Sequence, residues 1–226
     1  MRLFLRILIV LAVPLVLIVT ALRLVCLPWF PRWEYQRANF PADAYGMAPE
    51  QRLYLAELSI YFLNMPYDLE LLERAQLEDG SPAFNARELR HMADVKRALD
   101  GVTLAGALAL VVGLAAGWAL WRRAGAAALW GALCDGGLLV LMLVLAIGVL
   151  MALSWNTFFT GFHRLFFEGD TWLFSHSDTL IRLFPLKLWQ DVSLLVVILV
   201  VGPAFALALL GRMWQRRLSR VEEASA

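Results

Sequence analysis

The sequence predicts an all-α, polytopic integral membrane protein with four transmembrane helices, and three observations carry that prediction. Of its 226 residues, 61% are hydrophobic and only 17% are charged, against roughly 25% charged in soluble domains. The charges are clustered. The stretches between them, at about residues 4–27, 101–121, 126–153 and 188–211, each supply the roughly 20 apolar residues needed to cross a bilayer core of about 30 Å. Residues 31–100, by contrast, hold 20 of the Asp, Glu, Lys and Arg residues and read as a water-facing domain. The expected organisation is a first transmembrane helix in residues 1–27, an extracytoplasmic helical domain at 28–100, spans at 101–121 and 126–153, an extracytoplasmic interfacial loop at 154–187, a fourth span at 188–211 and a cytoplasmic tail at 212–226.

Arg2 and Arg6 followed by an apolar run would suit a secretory signal. However, Leu22-Arg23-Leu24-Val25-Cys26-Leu27 lacks the small residues of a cleavage site. Bulky Val25 before Cys26 also argues against a lipid-modified cysteine, so an uncleaved anchor is expected. Orientation follows from basic residues in short loops. With both termini cytoplasmic, the inner set is Arg2, Arg6, Arg122, Arg123, Arg212, Arg216, Arg217 and Arg220. The loop at 154–187 balances Arg164, Arg182 and Lys187 with Glu168, Asp170 and Asp178. The net charge of +1 hides this asymmetry and gives no reason to expect a nucleic-acid partner. Cys26 and Cys134 fall on opposite halves of the predicted membrane and are not expected to pair.

Pro28-Trp29-Phe30-Pro31-Arg32-Trp33 ends the first helix, with tryptophans at headgroup level. Pro49 to Asn64 has helical periodicity, with Leu53, Leu55, Leu58, Ile60 and Phe62 among charges, and a short helix is expected around 68–77. Asn85 and Glu88 fit a capping box. The helix they start runs through His91 and Val95 and continues into the second span at Gly101, where a bend is allowed. After the third span, Phe159, Phe162, Phe166 and Phe167 share roughly one helical face, a pattern expected to lie flat on a membrane surface.

All three histidines are predicted outside the membrane. His91 precedes the second span by about ten residues and His163 follows the third by about ten, a spacing that permits them to meet at the outer leaflet. Asp94, three residues after His91, shares its helical face and could orient the imidazole. The alternative is interfacial histidines satisfied by water. A metal set would need His91, His163 and His176 with Asp170 or Asp178, but no His-x-x-x-His or His-Glu-x-x-His pair supports it. Gly-x-Ser-x-Gly is absent, and Ser59, Ser81, Ser154, Ser175 and Ser177 carry no motif. Asp135, inside the third span, is expected to reach water or pair with another helix.

His91-Met92-Ala93-Asp94-Val95-Lys96 resembles the His-x-x-(Asp/Glu)-Val-Lys element of the bacterial lipoprotein intramolecular transacylases. Phe162-His163-Arg164-Leu165-Phe166-Phe167 with Gly169-Asp170-Thr171-Trp172-Leu173-Phe174 resembles that family's second signature. Ser177-Asp178-Thr179-Leu180-Ile181-Arg182-Leu183-Phe184-Pro185 continues it, and Tyr61-Phe62-Leu63-Asn64-Met65-Pro66 is similar to its Tyr-Leu-x-x-Pro stretch. The resemblance covers about residues 50–192. It departs at Ser175-His176-Ser177, where an Asp-Pro lead is expected, and at Trp189, where phenylalanine is more usual.

The resemblance implies an activity: the sn-2 acyl chain of a diacylglyceryl-cysteine lipoprotein moves to that cysteine's own α-amine, with no cofactor and no metal. It implies catalytic roles for His91 and His163. The supporting or substrate-binding set taken with it is Asp94, Tyr61, Asn156, Trp172, Asp178 and Arg182. The implied partners are diacylated lipoproteins and membrane lipids, and the implied place is a bacterial plasma membrane with the active site on the outer-leaflet side. A neutral histidine can take a proton from the attacking amine, and a second can stabilise the oxyanion. The rival reading is a non-catalytic membrane assembly or partner-binding protein.

Overall fold

A computed structural model describes residues 1–167, 169 and 171–224. The described residues form eight helices and no strand: α1 (Arg2–Val25), α2 (Trp29–Tyr35), α3 (Pro49–Asn64), α4 (Glu70–Glu73), α5 (Ala86–Leu153), α6 (Trp155–Phe166), α7 (Thr179–Leu183) and α8 (Leu186–Ala224). Three of them, α1, α5 and α8, are long and apolar enough to cross a membrane. The chain divides into two compact units, Met1–Leu22 with Val102–Trp155 and Val196–Ala226, and Arg23–Gly101 with Asn156–Leu195.

The first unit is built on a hairpin inside α5. The expected capping-box helix does continue past Gly101, and the non-helical residue lies instead at Gly125, with φ 78° and ψ 174°. That region is open essentially to glycine alone, so a side chain here would cost on the order of 1–3 kcal/mol. The turn lets the arms fold back: Ala116 and Leu120 of the first arm share a core with Ala132 of the second and with Ile9 of α1. Small residues set the remaining packing, as is usual between membrane helices. A Cβ at Gly137 would meet the Ala204 carbonyl oxygen at 2.5 Å, and one at Gly211 would meet that of Trp130 at 2.7 Å. The second arm of α5 and α8 therefore touch backbone to backbone, and only glycine permits it. Asp135 pairs with Arg6 of α1, whose Nε donates to Oδ2 at 2.7 Å, as the inter-helix alternative anticipated.

The second unit is a small helical core around Leu55, Phe62, Leu72, Phe84, Met92 and Leu183. Helix α3 starts at Pro49, a residue without an N–H placed where none is needed. Arg52, Leu55, Ala56, Ser59 and Leu63 are buried along one stripe. Arg52 is a buried cation tied down by carbonyls: Nε donates to Arg182 (2.7 Å) and Nη1 to Pro41 (2.7 Å). Its guanidinium also lies over the rings of Tyr35 and Phe40. Arg37 joins Glu34 to Asp191, fastening α2 to the first turns of α8.

One element was not expected and one expectation is corrected here. Residues 29–35 form a helix of their own, because Pro28 and Pro31 fall at its cap and in its first turn, where a proline removes no hydrogen bond. The helix expected at 68–77 is only Glu70–Glu73. Beyond it the chain tightens into a turn in which Asp79 Oδ1 accepts the Ser81 N–H (2.9 Å) and Gly80 takes φ 82°.

Candidate active site

The site is assembled from the start of α5, from α6 and from the segment leading to α7. The predicted capping box is present. Asn85 N–H donates to Glu88 Oε2 (2.8 Å), and Asn85 Oδ1 accepts the N–H groups of Arg87 (3.0 Å) and Glu88 (3.1 Å). Glu88 also acts at long range: its Oε1 accepts the N–H of Leu180 (2.7 Å) at the start of α7. Glu88 is 1% exposed. Burial pushes its carboxyl above the usual range, against the backbone N–H groups of Asn85 and Leu180, which favour the ionised form.

Further ties fix the segment between α6 and α7. Asp178 accepts from Asn85 Nδ2 (3.1 Å) and from Ser175 N–H (2.8 Å), and Arg87 donates to the Leu173 carbonyl (3.1 Å). These bonds bring Phe174 edge-on to His91, with centroids 5.2 Å apart. At the other end, Lys96 donates to the carbonyls of Phe62 (2.9 Å) and Met65 (2.7 Å), closing the C-terminus of α3. The lysine of the His-x-x-Asp-Val-Lys element thus holds α3 against the helix that carries His91.

His91 and His163 face each other with near-parallel rings, 18° between planes and 6.3 Å between centroids. Aromatic rings enclose the pair: Phe167 stands 4.9 Å from His91 and 5.5 Å from His163, Phe159 4.1 Å from His163, and Trp172 4.9 Å from His163. His163 Nδ1 lies 2.8 Å from the Phe159 carbonyl oxygen. A carbonyl can only accept, so Nδ1 carries the proton and Nε2 keeps its lone pair. His91 Nδ1 is buried and has no hydrogen-bond partner among the described residues. Burial, and then the neighbouring His163, lower the His91 pKa to about 4, against an upward pull from Asp94. Burial likewise lowers that of His163, against the Phe159 carbonyl. Both imidazoles are therefore neutral at pH 7.

The supporting residues divide sharply. Trp172 is buried beside His163, its indole N–H donating to the Gly169 carbonyl (3.1 Å). Asn156 is exposed on α6, two turns before His163 on the same helical face. Asp94 pairs with Arg97, so it acts on His91 through its charge and does not orient the ring by a hydrogen bond. Tyr61 is exposed on α3 beside Arg32, whose charged form is held first by Glu57 and to a lesser degree by this tyrosine. Asp178 is a fastening of the loop. Arg182 points into the second unit, where it makes two bonds to Asp43, Nε to Oδ1 at 3.1 Å and Nη2 to Oδ2 at 3.0 Å. The pair is 12% and 2% exposed.

The aromatic face of α6 is also divided, with Phe159 turned to His163 and Phe162 and Phe166 exposed. His176 is exposed. Among the described residues no three His, Cys, Asp or Glu side chains come together as a metal site; Asp170 and Glu168 lie outside the described residues. The sequence reading missed Glu88's second bond, Phe167 and Phe174 as walls of the histidine pair, and Asp43. Only the aromatic walls had a visible signal, their place within the second signature.

The Asp43–Arg182 pair generates a prediction. Burial raises the Asp43 carboxyl, but Arg182 and the N–H groups of Met47 and Tyr45 outweigh it and hold the group below the usual range. Breaking a buried pair by removing one partner costs about 3–5 kcal/mol, so Arg182→Gln should lower thermal stability strongly at pH 7. A depressed acid contributes stability that is present above its unfolded pKa and lost as pH falls through the folded one. The gap between wild type and variant should therefore close on acidification below pH 4. A variant of wild-type stability would show that the pair does not hold the fold.

The chain matches, over residues 7–189, the family described as lipoprotein intramolecular transacylase Lit. A relative from Aquifex aeolicus (strain VF5), described as an uncharacterized protein, is 33% identical over 199 residues, which cover 88% of this chain and 89% of the relative. The fold is similar to the in meso structure of the membrane integral lipoprotein intramolecular transacylase Lit from Bacillus cereus, with TM-score 0.81, 18% identity and 98% of each chain covered. A histidine-to-arginine variant of that protein gives TM-score 0.76 at 17% identity, covering 98% of this chain and 95% of its own. Long apolar helices, an all-helical fold and a match over most of the chain agree: this multi-pass membrane protein belongs to the lipoprotein intramolecular transacylase family, a family of acyltransferases.

Proposed function

We propose that the protein moves the sn-2 acyl chain of a diacylglyceryl-cysteine lipoprotein to the α-amine of the same cysteine, with His91 and His163 as the catalytic pair. The observation that carries this reading is two neutral imidazoles with centroids 6.3 Å apart inside aromatic walls. The α-amine attacks the ester carbonyl, a C–N bond forms, the C–O bond to the glyceryl oxygen breaks, and one proton passes from nitrogen to that oxygen. His163 suits the proton carrier, because the Phe159 carbonyl fixes its Nδ1–H and leaves Nε2 to accept. His91 suits the oxyanion, as a buried hydrogen-bonding group in a site poor in water. Nucleophile and ester belong to one molecule, so holding them in an attack geometry supplies much of the acceleration. The products are an N-acyl cysteine and a lyso-glyceryl thioether.

The proposed topology has four spans, counting α5 as two on either side of Gly125, with both termini cytoplasmic. Residues 28–100 and 154–187 then form the outer face and bring the histidine pair to the outer leaflet. Support comes from the arginines, since Arg122 and Arg123 immediately precede the Gly125 turn and Arg212, Arg216, Arg217 and Arg220 end α8. Reporter fusions after Arg123 and after Arg220 should read cytoplasmic and a fusion at Asp79 external. An external signal at Arg123 would invert the arrangement.

Replacing His163 with Asn keeps hydrogen-bonding atoms but removes proton uptake near pH 7. Transfer should fall by about 10²–10⁴-fold, the usual contribution of an acid–base group, with membrane insertion unchanged. Asp94→Asn should cost much less, because Asp94 acts on His91 only through its charge. The readout is the mass of the lipoprotein's N-terminal peptide in a host without other N-acylating activity. Near wild-type transfer by the Asn variant would reject His163 as the proton carrier and with it the mechanism, whereas no transfer by the wild type in that host would favour the non-catalytic assembly-factor reading.

A further inference from the structure

The charges of the first unit are all gathered at one end. Its three segments carry eight arginines, Arg2, Arg6, Arg122, Arg123, Arg212, Arg216, Arg217 and Arg220, against the acids Asp135, Glu222 and Glu223, with no lysine or histidine. The packing places them together. The second arm of α5 and α8 run antiparallel, with Gly137 against Ala204 and Ala208, Gly211 against Trp130 and Cys134, and Gly131 against Gln215. Carrying that register one or two turns further, at 1.5 Å per residue, brings Arg216, Arg217 and Arg220 level with the Gly125 turn, where Arg122 and Arg123 stand. Leu5 and Leu8 of α1 pack with Leu120 and Ala124 near the same turn, so Arg2 belongs to this end as well.

Apart from Arg6, which Asp135 neutralises, none of these arginines has an acidic partner among the described residues. They are exposed. Tryptophans mark the level. Trp130 stacks on Trp214 at 6.3 Å between centroids, Arg217 lies over Trp214 at 5.2 Å, and Trp121 is exposed beside Arg122. Tryptophans on apolar helices settle at the headgroup layer, where the abundant anions are lipid phosphates. Guanidinium groups hold phosphate oxygens in two-pronged hydrogen bonds.

The geometry points to a binding site for anionic phospholipids at this end, in which the arginines around the Gly125 turn and the end of α8 hold headgroup phosphates. The site lies in the unit that carries neither histidine, and it stands whether or not the acyl-transfer mechanism does.

The test is a titration of the purified full-length protein in neutral detergent, followed by native mass spectrometry. The probes are phosphatidylglycerol and phosphatidylcholine with the same acyl chains. Phosphatidylglycerol should bind at least tenfold more tightly to the wild type. Binding should weaken about fivefold for each arginine neutralised in the series Arg220→Gln, then with Arg217→Gln, then with Arg216→Gln, and raised salt should reduce it. The matching Arg→Lys triple variant should retain most of the preference. Thermal unfolding without lipid checks that each variant is folded, and the single variant decides the matter where the triple is not. Equal binding of the two lipids, or an unchanged preference in a folded Gln variant, would overturn the site.

Discussion

A single buried carboxylate, Glu88, holds the second unit's functional face together. One oxygen closes the first turn of α5, and the other closes the start of α7, 92 residues further along the chain. Each bond answers a helix N–H that has no partner within its own helix, and a carboxylate, with one oxygen for each, accepts both at once. His91 sits one turn beyond Glu88, and the segment ahead of α7 carries Trp172 and Phe174. Satisfying two helix starts with one residue therefore sets the position of the aromatic walls relative to the imidazole. Asp178 and Arg87 repeat the same tie, from Asn85 and to Leu173.

What those walls do is electrostatic. Burial among the rings takes water away from a cation, so the neutral imidazole is favoured at His91 and at His163. Two neutral histidines are what the proposed transfer needs at pH 7, one to take a proton and one to hydrogen-bond to an oxyanion. The Phe159 carbonyl, one turn before His163 on the same helix, selects the tautomer. An exposed pair would titrate near pH 6.5 and repel when charged. The cost of excluding water is two polar rings with few partners, visible in the unpaired Nδ1 of His91.

Local features were readable from sequence because their partners are local. Pro49 and Asn64 bound α3, and Asn85 with Glu88 announced the cap. The two histidines were named from motif and spacing alone. What the sequence hid depends on pairings across the fold. The carboxylate partner of Arg182 was not visible, because Asp43 lies 139 residues away along the chain. Asp94 was assigned to His91, yet Arg97 lies three residues on in the favourable order of acid before base, and it wins the carboxylate. The phenylalanines of α6 were read as one membrane-facing stripe, whereas Phe159 turns inward to His163. Gly125 was missed because the two arginines before it mark a turn equally well, and only the dihedral shows which residue bears it.

The central claim is that aromatic burial keeps His91 uncharged. Nuclear magnetic resonance titration of the histidine side chains in the intact, detergent-solubilised protein measures this directly, with His91→Gln and His163→Gln variants assigning the signals. The account predicts that His91 titrates at about pH 4 and that removing His163 raises that value, since the neighbouring imidazole is one of its causes. A His91 midpoint near the ordinary 6.5 in the folded protein would contradict the account.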